Sequence, residues 1–177
     1  AMTRRPPQKP VTPEDPQSQD PRPPDAKGAG DAGHCFIVMP FGVKKRPSDG
    51  QPHDFDKIYR VVIKRAVERA GMTCIRADET AGSRLIHSDM FRDLRDQPLV
   101  IADLSLQNPN VFYELGIRHV MSSTGTVLMC DTGSMPLPFD IGLSRVVTYD
   151  YDGKNLDWEE AERLIERLHV ALLESGP

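Results

Sequence analysis

"PLVIADLSLQNPNVFYELG", residues 98–116, predicts a strand, a tight turn and a helix in direct succession. Residues 98–104 are apolar except for Asp103, and a short apolar run closed by polar residues predicts a strand buried on both faces. Asn108 is a strong helix N-cap, and Pro109 suits the first helical position, where its missing N–H costs nothing. Asp103 then stands at the carboxyl end of the strand, and the helix starts just beyond it.

The same alternation continues on both sides. "CFIVMPFG" (35–42) predicts a strand ended by a tight loop. A polar loop containing Lys44, Lys45 and Arg46 follows, then a helix capped by Asp54 or Asp56. Ile58, Val62, Ala66 and Ala70 form that helix's apolar stripe, and Gly71 ends it. "MTCIRAD" (72–78) predicts a second strand, followed by a helix over about 84–96. "TVLMCD" (126–131) and "RVVTYD" (145–150) predict the fourth and fifth strands. A last helix over about 156–174 carries Ala161, Leu164, Ile165, Leu168 and Leu172 at helical spacing. Strands that alternate with helices and are apolar on both faces predict a parallel sheet covered on each side. The expected architecture is a flavodoxin-like, doubly wound α/β three-layer sandwich, with a five-stranded sheet in the order 2-1-3-4-5.

Composition bounds the rest. The chain has 177 residues, 38% of them hydrophobic, and a formal net charge of −4, which is material for one ordinary domain. Residues 1–33 hold eight of the sixteen prolines and few large apolar side chains, so they predict a disordered leader ahead of a folded domain at 34–177. No apolar run approaches the roughly 18 residues of a membrane span, and no secretory signal pattern is present, so a cytoplasmic protein with no membrane partner is expected. Mild acidity argues against nucleic acid as a partner. Cys35, Cys74 and Cys130 form no CxxC pair and fall in predicted strands, where they read as small core residues. The histidines show no ligand spacing, and neither a metal nor a cofactor is expected.

Ligands of open α/β sheets bind outside the carboxyl ends of the strands. Those ends are Pro40-Phe41-Gly42, Arg76-Ala77-Asp78, Asp103, Asp131 and Tyr149-Asp150. Aspartates also favour strand-to-helix turns for local reasons, which suffices for Asp131 and Asp150. Asn110 and Glu114 are four apart and share a helix face, while Val111 and Leu115 pack on the sheet. Gly116 predicts close approach of another backbone or a ligand. Glu114 leans toward the helix amino terminus, whose partial positive charge favours an ionised carboxylate, as a nucleophile or a hydroxyl anchor needs. The alternative is an i,i+4 pair with Arg118 on a solvated face. Phe41 is either a base platform or a core ring. Pro40-Phe41-Gly42 can present backbone N–H groups to a phosphate, and Lys44, Lys45 and Arg46 are either phosphate contacts or simply solvated.

These residues carry a family resemblance. "VIADLSLQNPNVFYELGIRHV" (100–120) resembles the motif of the nucleoside 2-deoxyribosyltransferase-like proteins, and "FIVMPFG" (36–42) and "SDMFRDL" (88–94) fit the same pattern. The resemblance spans about 34–150. It implies a flavodoxin-type domain, related in shape to TIR domains, that cleaves or exchanges N-glycosidic bonds of nucleosides, nucleotides or NAD. It implies Glu114 as the nucleophile, Asp89 as the group handling the base, and a sugar-hydroxyl ligand at Asn108, with Asn110 close by. The family has an aspartate where Asn108 stands, so the charge at that seat is missing here. Asp78 and Asp103 complete the expected substrate contacts, and Asp103 or Asp89 is expected to protonate the leaving base. Relatives are often oligomers, so a homo-oligomer is a further expectation. The alternative is a TIR-like or nucleotide-sensing module that binds without turnover. A response-regulator receiver is excluded: Met-Pro-Phe-Gly replaces its acidic pair after the first strand, and Thr148-Tyr149-Asp150 replaces its lysine. Dinucleotide and P-loop fingerprints are absent.

Overall fold

The computed structural model describes residues 33–76, 86–142, 144–153 and 155–176. The proline-rich leader and the expected start of the second helix near residue 84 lie outside the described residues.

The sheet has five parallel strands: β1 (His34–Val38), β4 (Thr73–Arg76), β5 (Leu99–Asp103), β6 (Thr126–Asp131) and β7 (Val146–Tyr149). Their spatial order is β4-β1-β5-β6-β7, the flavodoxin-like order expected from the sequence. β5 is central and buried at every residue, which is why its sequence reads as an unbroken apolar run. Its neighbours are in register through Ile37↔Ile101 on one side and Ile101↔Val127 on the other.

Two helical layers cover the sheet. On one face lie α1 (Phe55–Ile58), a π-helical turn (Tyr59–Ile63), α2 (Lys64–Arg69) and α6 (Trp158–Ser175). The expected stripe Ile58, Val62 and Ala66 is buried there, and Tyr59, Ile63 and Val67 widen it into a second row. Asp54 is the cap, accepting from the Lys57 N–H at 3.0 Å; Asp56 does other work. Gly71, at φ +73, ends this helical segment as expected. The opposite face is covered by α3 (Ile86–Asp96) and α4 (Pro109–Met121), whose Met90, Leu94, Val111 and Leu115 share a core with Phe36, Val100 and Leu128 of the sheet. Helices leave β1 and β5 toward opposite faces, so the strand order reverses between these two neighbours. In such sheets ligands bind at this switch point, outside the carboxyl ends of the strands.

The loop at 43–54 is not simply a solvated loop. It folds into an antiparallel hairpin, β2 (Val43–Lys45) with β3 (Pro52–Asp54). Gly50, at φ +71, permits the turn, which closes through Arg46 N–H to Gln51 O at 2.8 Å and Gly50 N–H to Arg46 O at 2.9 Å. Short turns also follow β5 (Ser105–Gln107) and β6 (Thr132–Ser134), and a one-turn helix α5 (Phe139–Gly142) precedes β7. No helix among the described residues is long and apolar enough to cross a membrane.

Candidate functional site

The switch point is flanked by the turn after β1. Met39 and Pro40 are buried, and Phe41 is 39% exposed. The Arg76 guanidinium, at the end of β4, lies between two rings: 5.4 Å from the Phe41 centroid and 4.2 Å from that of Tyr59. Asp56 fixes it at 2.9 Å and also accepts the Gly42 N–H at 3.2 Å. Pairing with Arg76 and this backbone hydrogen bond hold the Asp56 carboxyl below its ordinary value against the upward push of burial. The expected phosphate cradle is therefore corrected in part. The Gly42 N–H is spent on Asp56, and its carbonyl accepts from Phe55 N–H at 3.1 Å, because this turn must anchor the start of α1.

After β5, the Asn108 side-chain oxygen accepts the Asn110 N–H at 2.9 Å, so the cap forms as its sequence predicts. Asn110 is exposed. Val111 and Leu115 are buried against the sheet. Glu114 is half-buried on α4 and has no hydrogen bond or ion pair among the described residues. Burial pushes its carboxyl up to about 7. The expected stabilisation of the ionised form by the helix end is opposed by this burial. Glu114 is the sixth residue of α4, beyond the first turn to which that effect is confined.

Arg118 does not pair with Glu114. It is buried, and its guanidinium donates to the carbonyls of Leu94 (2.7 Å), Gln97 (3.0 Å) and Thr124 (3.1 Å), closing the loops beneath α3 and before β6. A Cβ added at Gly116 would meet nothing within 4 Å, so the close approach expected there is not made among the described residues. Asp78 lies outside the described residues. Asp89 belongs to α3, which packs beside α4, but its side chain lies outside the described residues.

Asp103 is sealed beneath this edge with no exposed surface. One oxygen accepts Ser105 N–H at 3.0 Å and the other accepts the Tyr149 hydroxyl at 2.9 Å. Tyr149 in turn meets Ser105 Oγ at 2.9 Å and His53 Nε2 at 3.3 Å, and Ser105 Oγ accepts Asp131 N–H at 2.7 Å. Burial pushes Asp103 up to about 6 and holds His53, beside Arg46, down to about 4. The expectation of Asp103 as a substrate contact or acid is thus corrected: both oxygens tie strand ends together, out of reach of a ligand. Arg46, expected to meet phosphate or water, instead donates to Asp131 at 3.3 Å and to Tyr151 O at 2.8 Å. Asp150 stays exposed. Sequence patterns do not mark this buried network, since its members come from separated segments with no local periodicity.

The three cysteines are free, and burial pushes the Cys35 and Cys130 thiols up, as inert core residues require. No group of three His, Cys, Asp or Glu side chains among the described residues is arranged to hold a metal. No protein-family model matches the chain, and no curated protein is significantly similar to it.

Proposed function

We propose that the chain cleaves or exchanges the N-glycosidic bond of a nucleoside, nucleotide or NAD-type ligand, with Glu114 as the reacting carboxylate. The observation that carries this reading is the state of Glu114: half-buried, unpaired among the described residues, and raised to about 7 on the helix that follows β5. A structural glutamate is ordinarily solvated or paired, whereas perturbed and unpartnered carboxyls gather at working sites. The family resemblance of residues 100–120 supports the same role.

In this mechanism the C1′–N bond breaks and its electron pair leaves with the base, which takes a proton from a general acid, Asp89. The Glu114 carboxylate stabilises the oxocarbenium-like sugar and traps it as a glycosyl ester; water or a second base then takes the sugar. Asn108, through its amide N–H groups, and Asn110 would hold sugar hydroxyls. Phe41, backed by the Arg76 guanidinium, would stack on the base.

The test is incubation of the chain with NAD and a panel of nucleosides and nucleotides, followed by chromatography for free base. Release of base from at least one supports the reading; saturable binding with no release supports a sensing module instead. One observation favours that second reading: Asn108 carries no charge and uses its side-chain oxygen on the helix cap.

A further inference from the structure

A cleft of about 270 Å³ lies at the same sheet edge, and Glu114 does not line it. The hairpin tip, Arg46–Ser48, forms one wall; Leu106 and Gln107 after β5 and Gly133–Met135 after β6 form the others. Its backbone is unusual. Leu106 and Gln107 are consecutive non-glycine residues in the left-handed region, at φ 57 and φ 48. Such conformations persist only where surrounding contacts enforce them, and they concentrate at ligand sites. The enforcing contacts are visible here. Leu106 N–H donates to Ser134 Oγ at 2.8 Å, and Gln107 Nε2 donates to Ser134 O at 3.0 Å and Pro136 O at 2.9 Å.

Those contacts also decide which polar atoms stay uncommitted. With its amide nitrogen committed twice, Gln107 keeps Oε1 as a free acceptor. Ser134 Oγ accepts from Leu106 and so keeps its proton to donate. Arg46 Nη1 is held only loosely, 3.4 Å from Asp49. At Gly133 a Cβ would lie 3.0 Å from Asp131 Oδ2 and 3.1 Å from Arg46 Cζ, so a bare backbone there leaves the ion pair close under the cleft floor. Pro47, Leu106 and Met135 supply apolar side chains to the lining.

The charges select the ligand. Asp131 and Asp49 both lie on Arg46, so the cleft presents no uncompensated guanidinium to an anion. Donors and an acceptor between apolar walls match a ring with a carbonyl beside an N–H. We propose that this cleft is a separate binding site for a neutral, planar lactam- or amide-bearing heteroaromatic ring of nucleobase size. The proposal does not depend on glycosidic chemistry at Glu114.

The test is titration of the full chain with uracil, hypoxanthine and nicotinamide by calorimetry and saturation-transfer NMR, with phosphate and acetate as anionic probes. Ser48→Trp and Met135→Trp each fill the cleft from an exposed position, and matched melting temperatures verify their folding. The expected result is saturable binding of at least one ring, weakened by about tenfold or more in both Trp variants and retained in Glu114→Gln. Binding of none of the rings would overturn the proposal, as would competition by phosphate or acetate, or wild-type affinity in either folded Trp variant. Loss of ring binding in Glu114→Gln would also overturn it, while strengthening the reading of Glu114 itself.

Discussion

Glu114 and Arg118 stand one turn apart on α4 and do not pair: Arg118 turns inward to backbone carbonyls, and Glu114 is left half-buried without a counterion among the described residues. Opposite charges at this spacing ordinarily meet on the helix surface. Here the arginine is committed to the fold instead.

The first prediction concerns the pH dependence of Glu114. Its carboxyl rises from the ordinary 4.5 to about 7 in the folded chain. Between those values the folded chain holds a proton that the unfolded chain has released, so stability falls as pH rises through this window. Glu114→Gln removes that dependence. The variant should match the wild type in melting temperature near pH 4, then become progressively the more stable of the two up to about pH 7, with a constant gap above. Melting curves across pH check it.

Arg118→Leu should destabilise the fold by about 3 kcal/mol or more, because one buried and two part-buried carbonyls lose a charged donor at once. Gly125→Ala should be at least as damaging: Gly125 sits at φ +72, and a Cβ there would lie 2.1 Å from Pro98 O. Urea unfolding measures both.

Tyr149→Phe preserves the ring but removes the hydroxyl that joins Asp103, Ser105 and His53. A loss of about 2 kcal/mol is expected, since buried Asp103 is left with an unsatisfied oxygen. The loss should be smaller at pH values well below the Asp103 value of about 6, where that carboxyl is neutral in either protein. Urea unfolding at two pH values tests the sign.

The sheet is legible in the sequence because its strands are apolar on both faces and its helices carry local signals, such as the Asn108-Pro109 cap and Gly71. The hairpin is not: β2 and β3 are three residues each, β2 is exposed throughout, and neither carries an apolar pattern. Asp103 is legible as a strand end, but its sealing is not, because that depends on a tyrosine 46 residues away. The course of Arg118 escapes the sequence for a related reason. Spacing shows that two residues share a helix face, while the carbonyls that draw one inward belong to other segments. The position of Glu114 on α4 is readable from the cap; the rise of its carboxyl, set by burial, is not.

The most direct measurement is the rate of base release by the wild type and by Glu114→Ala on the best substrate of the panel. Alanine keeps the helix, so the variant should fold normally. The account predicts a fall of about a thousandfold or more, equivalent to about 4 kcal/mol of barrier. Equal rates in the two proteins, or no release of base from any member of the panel by the folded wild type, would contradict it.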